Sequence, residues 1–129
     1  MKVAVVGGGP AGLFFALLAK SRGLASEVTV YERNPPDATF GWGVVFSGRM
    51  QTELAAADAE TSARLDPLFV RWPFLDVVHR GERVRIGGNH FAGLARIELL
   101  RVLQERCREV GVSLRFGVEI QDPEELRPF

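Results

Sequence analysis

Apolar residues fall in short blocks along this chain, and the blocks change period. Lys2 to Val6 (KVAVV) is a β-branched run behind one polar residue and reads as a short buried strand. Leu13 to Ala19 (LFFALLA) is apolar at helical length, and Gly23 closes it. Glu27 to Tyr31 (EVTVY) is a second strand pattern with Glu32 at its end. Arg33 to Phe40 (RNPPDATF) reads as a loop, because Asn34-Pro35-Pro36-Asp37 neither continues a strand nor starts a helix cleanly. Gly41 to Gly48 (GWGVVFSG) is glycine-spaced and apolar. The glycines flanking Trp42 suggest close backbone approach to something flat or bulky, or else a surface loop whose Trp42 anchors it to the core.

Met50 to Ala59 is alanine-rich and predicts a helix, with a further turn over Thr61 to Leu65 before Asp66-Pro67. Phe74 to His79 follows Pro73 as a strand, Gly81-Glu82 reads as a turn, and Arg83 to Ile86 alternates polar with apolar: a β-hairpin pattern that Gly87-Gly88-Asn89 ends. Arg96 to Val110 carries Leu100, Leu103, Cys107 and Val110 on one helical stripe, and Gly111 suits its C′ position. Val112 to Phe116 is a third strand candidate, and the acidic tail from Glu119 to Phe129 predicts no closing element. There is no internal repeat and no low-complexity segment.

The first thirty-three residues hold the strongest chemical signal. Gly7-Gly8-Gly9-Pro10-Ala11-Gly12 matches G-x-G-x-x-G at Gly7, Gly9 and Gly12, between a strand and a helix. Glu32 follows twenty residues after Gly12, at the end of the next strand. That order is the dinucleotide-binding βαβ fingerprint. Gly7 lets the chain leave the strand, Gly9 lets backbone amides approach a pyrophosphate, and Gly12 lets the helix pack on the sheet. The first helical amides have no intrahelical partner and sit at the positive end of the helix dipole. Pro10 loses nothing in the first turn. A carboxylate at Glu32 suits ribose hydroxyls and repels a 2′-phosphate, which argues against NADP at this site.

Composition narrows the function classes. The 129 residues amount to one domain. Sixteen basic and sixteen acidic residues leave no field of one sign to steer the chain to nucleic acid or an anionic membrane. No apolar run approaches the ~18 residues of a membrane span, and the glycine cluster with Pro10 interrupts the only stretch resembling a signal peptide. The expectation is a soluble cytoplasmic protein. The single Cys107 excludes an intramolecular disulfide and a cysteine-based zinc site; on the apolar stripe it reads as a core residue. His79 lies in a strand pattern and reads as structural. His90, in a glycine-rich stretch, is the better functional candidate. Two distant histidines with no acid cluster at ligand spacing predict no metal site.

Val3 to Gly12 and Val28-Thr29-Val30-Tyr31-Glu32-Arg33 resemble the start of the flavoprotein aromatic hydroxylases, the p-hydroxybenzoate hydroxylase-like FAD monooxygenases. Thr39 to Ser47 (TFGWGVVFS), Gly87 to Gly93 (GGNHFAG) and Arg96-Ile97-Glu98-Leu99-Leu100 narrow the resemblance to salicylyl-CoA hydroxylases and the monooxygenase part of anthraniloyl-CoA (2-aminobenzoyl-CoA) monooxygenases. The flavin hydroxylases of violacein-type tryptophan pathways share the Gly-Trp-Gly-Val-Val run.

The resemblance implies an α/β fold: an incomplete Rossmann-like FAD/NAD(P)-binding domain whose parallel sheet carries an inserted β-hairpin. Residues 1–129 would be the N-terminal portion of that domain, with a βαβ unit over 2–33, loop and helix over 34–66, hairpin over 74–86 and a helix–strand unit over 96–116. FAD would lay its pyrophosphate on Gly7, Gly8, Gly9, Pro10, Ala11 and Gly12, and its adenosine ribose on Glu32. Arg33 would lie by the adenine or its ribose, Gly43 and Val44 on the isoalloxazine side, and Arg96 against a phosphate or ribose that suits its planar fork. A cation at a helix start is electrostatically unfavourable unless an anion is near.

NAD(P)H would serve as transient reductant, O2 as oxidant and an electron-rich aromatic compound, aryl-CoA thioesters included, as substrate. The cofactor carries the hard chemistry, so no catalytic residue is assigned. The family's downstream Asp-Gly and Gly-Asp motifs and its substrate domain lie outside this sequence. The expectation is therefore an N-terminal piece that holds at most the ADP half of FAD, does not hydroxylate, and keeps a three-strand parallel remnant with one open edge. Two other readings stay open: an FAD- or NAD-dependent dehydrogenase or reductase, and a non-catalytic nucleotide-binding module.

Overall fold

The structure is a computed structural model and describes residues 1–126. The tail from Glu119 to Phe129, expected to hold no closing element, forms a short 3-10 helix over Pro123–Leu126; Arg127, Pro128 and Phe129 lie outside the described residues. The described residues divide into two compact units, residues 1–40 with 97–126, and residues 41–96.

The first unit is built on a parallel sheet. Strand β1 (Lys2–Val6) leads through helix α1 (Pro10–Ser21) to β2 (Glu27–Glu32). Helix α4 (Arg96–Glu109) leads to β8 (Ser113–Phe116), and the strand order is β1-β2-β8. Both crossovers step the same way across the sheet, so both helices land on one face. A contact fixes that arrangement: the buried Cys107 thiol of α4 donates to the Leu13 carbonyl of α1 at 3.2 Å. Leu13, Ala16 and Leu17 of α1, Val28 and Val30 of β2, and Leu99, Leu100 and Leu103 of α4 form the core. Burial pushes the Cys107 thiol up to about 11, as a core thiol requires. The buried face of α4 is wider than the predicted stripe. It adds Leu99, Val102 and Gln104, while Val110 is only half-buried. Gln104 is tolerated there because its amide donates to the Pro36 carbonyl at 2.9 Å. Among the described residues β1 and β8 each pair on one side only, so the sheet has two open edges rather than one.

The second unit contains the expected helix and hairpin and corrects the reading of Gly43–Ser47 as loop. Gly43–Ser47 is a strand, β3, not a loop. After α2 (Gly48–Ala57) and α3 (Ala59–Leu65) come β4 (Val70–Trp72), the hairpin β5 (Leu75–His79) and β6 (Glu82–Ile86), and β7 (Phe91–Ala95). Strands β3, β7 and β4 form an antiparallel sheet in that order. Phe46, Ala92 and Leu94 are buried on it, Thr61 and Leu65 of α3 are buried too, and Phe69 meets Phe46 edge-on at 5.3 Å. Of the two glycines that suggested a loop, Gly43 has a packing cause: a Cβ there would sit 3.1 Å from the Leu94 carbonyl, and on the facing strand a Cβ on Gly93 would sit 3.2 Å from the Trp72 ring. Ladder pairing therefore holds this segment. Trp42 anchors nothing, its side chain being 97% exposed.

Helices α2 and α3 are separate because each has its own N-cap: Ser47 Oγ accepts from the Met50 amide, and Asp58 Oδ1 from the Thr61 amide. The hairpin turn is Arg80-Gly81, one residue earlier than Gly81-Glu82, since His79 pairs with Glu82. Both turn residues have positive φ, 49° and 83°, as a two-residue type I′ turn demands.

The Thr61 hydroxyl is buried with no hydrogen-bond partner among the described residues. An unmet buried hydroxyl costs about 1–3 kcal/mol. Thr61→Val is therefore expected to leave stability unchanged or raise it by about 1 kcal/mol in a denaturant melt. A loss of similar size would show that the hydroxyl has a partner.

Candidate functional site

The site candidate in the first unit lies where β1 ends and α1 begins. Gly7 has φ +105°, a conformation that L side chains rarely adopt, and its amide donates to the Tyr31 carbonyl at 2.8 Å. The chain thus stays tied to β2 as it turns away from β1. Gly12 stands against that turn: a Cβ there would lie 2.1 Å from the Gly7 carbonyl oxygen and 3.3 Å from Val5 Cγ1. Only a bare Cα lets α1 start this close to the sheet. Gly9 is the N-cap of α1 with no side-chain cap, and Pro10 opens the first turn. A Cβ on Gly9 would meet nothing within 4 Å. The start of α1 is therefore uncapped by any side chain and has open space beside Gly9.

Glu32 reaches this turn from the end of β2. Its Oε2 accepts from the buried Gly8 amide at 2.7 Å. Its Oε1 accepts from the Asn34 backbone amide at 2.8 Å and from Asn34 Nδ2 at 2.7 Å. Partial burial pushes the carboxyl's pKa up. The hydrogen bonds from Asn34 and Gly8 and the nearby Arg33 charge outweigh it and hold Glu32 below the usual carboxylate value. Gly8 has a steric reason to be glycine as well, since a Cβ would fall 2.8 Å from Glu32 Cβ.

A cleft of about 350 Å³ opens beside this carboxylate, with Gly7, Tyr31, Asn34, Phe40, Val118 and Ile120 among its lining. Arg33 is exposed at its edge, with Nη1 3.6 Å from Glu119 Oε1. Backbone bonds join the two walls: Val118 N donates to the Glu32 carbonyl at 3.0 Å, and Gly117 N to the Asn34 carbonyl at 3.3 Å.

The structure brings Gly7, Gly8, Gly9, Pro10, Ala11, Gly12, Glu32 and Arg33 together at one end of the parallel sheet. Gly43, Val44 and Arg96 belong to the second unit. The Arg96 amide donates to the Trp42 carbonyl at 3.2 Å, and its Nε is buried without a hydrogen-bond partner among the described residues. His90 is exposed beside a hollow of about 300 Å³ with Gln51, Trp72 and Phe91, the two rings stacked at 6.1 Å. Among the described residues no group of three or more His, Cys, Asp or Glu is placed to hold a metal ion, and no helix is long and apolar enough to cross a membrane. Sequence reasoning missed Asn34. Its signal was present, an amide two residues past the acid and directly before Pro35-Pro36, but it read as loop composition.

Two substitutions separate packing from charge here. Gly12→Ala is expected to destabilise by about 3 kcal/mol in a urea melt, because the clash is with backbone. For Glu32, the folded pKa lies below the ordinary 4.5. Its contribution to stability is present above about 4.5 and is lost as pH falls through the lower folded value. The stability gap between wild type and Glu32→Gln is therefore expected to be widest near neutral pH and to close on acidification. A gap that does not vary with pH would contradict the carboxylate's hydrogen-bonded state.

No protein-family model matches the chain. Individual relatives do. It is 48% identical to a salicyloyl-CoA 5-hydroxylase of Streptomyces over its whole length, which is 25% of that protein. It is 32% identical to a 3-hydroxy-4-methyl-anthranilyl-[aryl-carrier protein] 5-monooxygenase of Streptosporangium sibiricum, over 91% of the chain and 33% of the relative. A protodeoxyviolaceinate monooxygenase of Chromobacterium violaceum is 32% identical over 98% of the chain and 34% of its own length. Among solved structures, 2-methyl-3-hydroxypyridine-5-carboxylic acid oxygenase superposes with a TM-score of 0.77 at 22% identity, over 90% of the chain and 31% of the neighbour. The p-nitrophenol 4-monooxygenase of Pseudomonas putida gives 0.75 at 23%, over 94% and 33%. The chain spans a quarter to a third of the length of the curated relatives it matches. In sequence it is similar to one segment of these hydroxylases and monooxygenases, and in fold to one segment of these oxygenases.

Proposed function

We propose that the glycine turn of the first unit binds the ADP moiety of FAD, and that this chain supplies the corresponding segment of an NAD(P)H-dependent flavin monooxygenase that hydroxylates an aromatic ring. The observation that carries the reading is the joint placement of Gly9 and Glu32. A capless helix start opens onto unfilled space, and a carboxylate fixed to the same turn stands beside it. The donor set fits the group. Bare amides and a positive helix end suit a diphosphate, and an ionised carboxylate suits ribose hydroxyls. The same carboxylate opposes a 2′-phosphate.

The residues present divide the work. Gly9, Ala11 and Gly12 offer backbone amides to the diphosphate, and Pro10 sets the first turn. Gly7 and Gly8 shape the turn. Glu32 orients the ribose, and Arg33 stands at the edge where the adenosine would lie. For Gly43, Val44 and Arg96 the support is the family pattern, together with an Arg96 Nε buried without a partner among the described residues. Bound flavin would supply the redox and oxygen chemistry, with NAD(P)H as reductant. The substrate class we infer is an aryl thioester. Two of the three named relatives act on an aryl group carried on coenzyme A or on an aryl-carrier protein.

Calorimetric titration of the chain with ADP and with FAD tests the site. Both are expected to bind. Gly9→Ala, whose Cβ meets no protein atom within 4 Å, is expected to melt as wild type yet bind ADP roughly tenfold more weakly, about 1.4 kcal/mol. A folded wild-type chain that binds neither nucleotide would sink the reading. So would a Gly9→Ala chain with undiminished affinity.

A further inference from the structure

Glu32 is not held by its own packing. A carboxylate offers about four acceptor positions, and three are taken: one on Oε2 by the Gly8 amide and two on Oε1 by Asn34. Asn34 supplies two of the three donors, so the direction of the carboxylate depends on where Asn34 stands. Three observations fix Asn34. It precedes Pro35, which confines its backbone to extended conformations. Its carbonyl accepts from the Gly117 amide at 3.3 Å, just past β8. Two residues on, the Pro36 carbonyl accepts from the buried Gln104 amide of α4 at 2.9 Å. Helix α4 thereby holds the Pro-Pro segment, the segment holds Asn34, Asn34 holds Glu32, and Glu32 holds Gly8.

We propose that Asn34 is a positioning residue for nucleotide binding. Its amide and backbone N–H lock the Glu32 carboxylate so that Oε2 anchors the glycine turn and keeps its remaining acceptor position for one ribose hydroxyl. This rests on the ADP reading above. It goes further in assigning a role to a residue outside the G-x-G-x-x-G…Glu pattern, and in naming Oε2 as the oxygen that accepts from the sugar. The charged groups around the carboxylate are Arg33 beside it in sequence and Glu119 across the cleft, and those two pair with each other. Asn34 is thus the neutral donor that keeps Glu32 ionised and aimed.

The test uses three variants of the chain and two readouts. Asn34→Ala removes the side-chain donor and keeps the backbone one. Asn34→Asp keeps the size and sets a second carboxylate against the first. Asn34→Ser keeps a short donor and serves if Asn34→Ala fails to fold. ADP affinity by calorimetry is expected to fall roughly three- to tenfold in Asn34→Ala, further in Asn34→Asp at pH 7, and less in Asn34→Ser.

The second readout needs no ligand. The Glu32 carboxyl, followed by carbon-detected NMR, is expected to titrate below the ordinary carboxylate range in wild type. It should move upward in Asn34→Ala and further upward in Asn34→Asp, with faster hydrogen exchange at the Gly8 amide in both. A merely structural Asn34 would lower melting temperature without moving the Glu32 titration. An unchanged titration and unchanged Gly8 exchange in a folded Asn34→Ala chain would overturn the proposal. A wild-type chain that shows the coupling but binds no ADP would overturn the nucleotide reading and the ribose half of this one, leaving the Asn34–Glu32–Gly8 linkage standing.

Discussion

The bond from the Gly8 amide to Glu32 Oε2 adds a side-chain tie to the backbone bond by which Gly7 already holds the turn after β1 to the end of β2. Gly8 is buried, so its amide must be met by protein or cost the free energy of an orphaned donor. An uncharged acceptor would meet that need less strongly than an ionised one. The same oxygen that satisfies the turn therefore brings a negative charge beside a helix start. That is favourable on its own account, because the first-turn amides of α1 are positive. The turn is shaped around the acid as much as the acid is placed by the strand.

Glycine serves two opposed purposes in this turn. At Gly12 its lack of a Cβ lets protein pack against protein, with the Gly7 carbonyl in the place a methyl would take. At Gly9 the absent Cβ leaves room that no protein atom enters. The motif gives these two positions different tasks, open approach at one and close packing at the other. Their environments separate them: substitution at Gly12 reports on folding, and substitution at Gly9 reports on what occupies the open space. The third position, Gly7, is required by its positive φ. A single motif thus combines a conformational constraint, a packing constraint and, in the proposed site, a constraint of recognition.

The βαβ unit was legible in the sequence because each of its signals is local. The strand, the glycine turn, the helix and the second strand are contiguous, and the acid falls at a fixed distance. The second unit was less so. Strand β3 read as a loop because Gly41 and Gly43 flank Trp42. Its identity as a strand depends on β7, whose own residues begin nearly fifty positions later. Strand β4 has only three residues and follows a single 3-10 turn, too short for any period to register. The hairpin was visible through alternation, but its turn was displaced by one residue, because Arg80 in a left-handed conformation is not a residue that announces a turn. Gln104 and Asn34 escaped for a common reason. Each is polar, and its role is set by a partner in another element.

Nothing in this site depends on a strong ion pair. Glu32 is kept ionised chiefly by two backbone amides and one side-chain amide, with Arg33 contributing least among the named causes. Such a carboxylate owes its position to strand ends and prolines, which do not rearrange when salt is added. Exposed pairs such as Arg33 with Glu119 are screened by salt. The nucleotide site proposed here would gain from that division. In that proposed site the backbone amides and the hydrogen-bonded acid would define where phosphates and sugar rest, and the exposed arginine at the rim could trade its acidic partner for a ligand without disturbing them. The order of dependence runs from α4 through Pro36 and Asn34 to Glu32 and Gly8. The shape of the opening turn at the chain's first strand is therefore completed by a helix that begins more than eighty residues later.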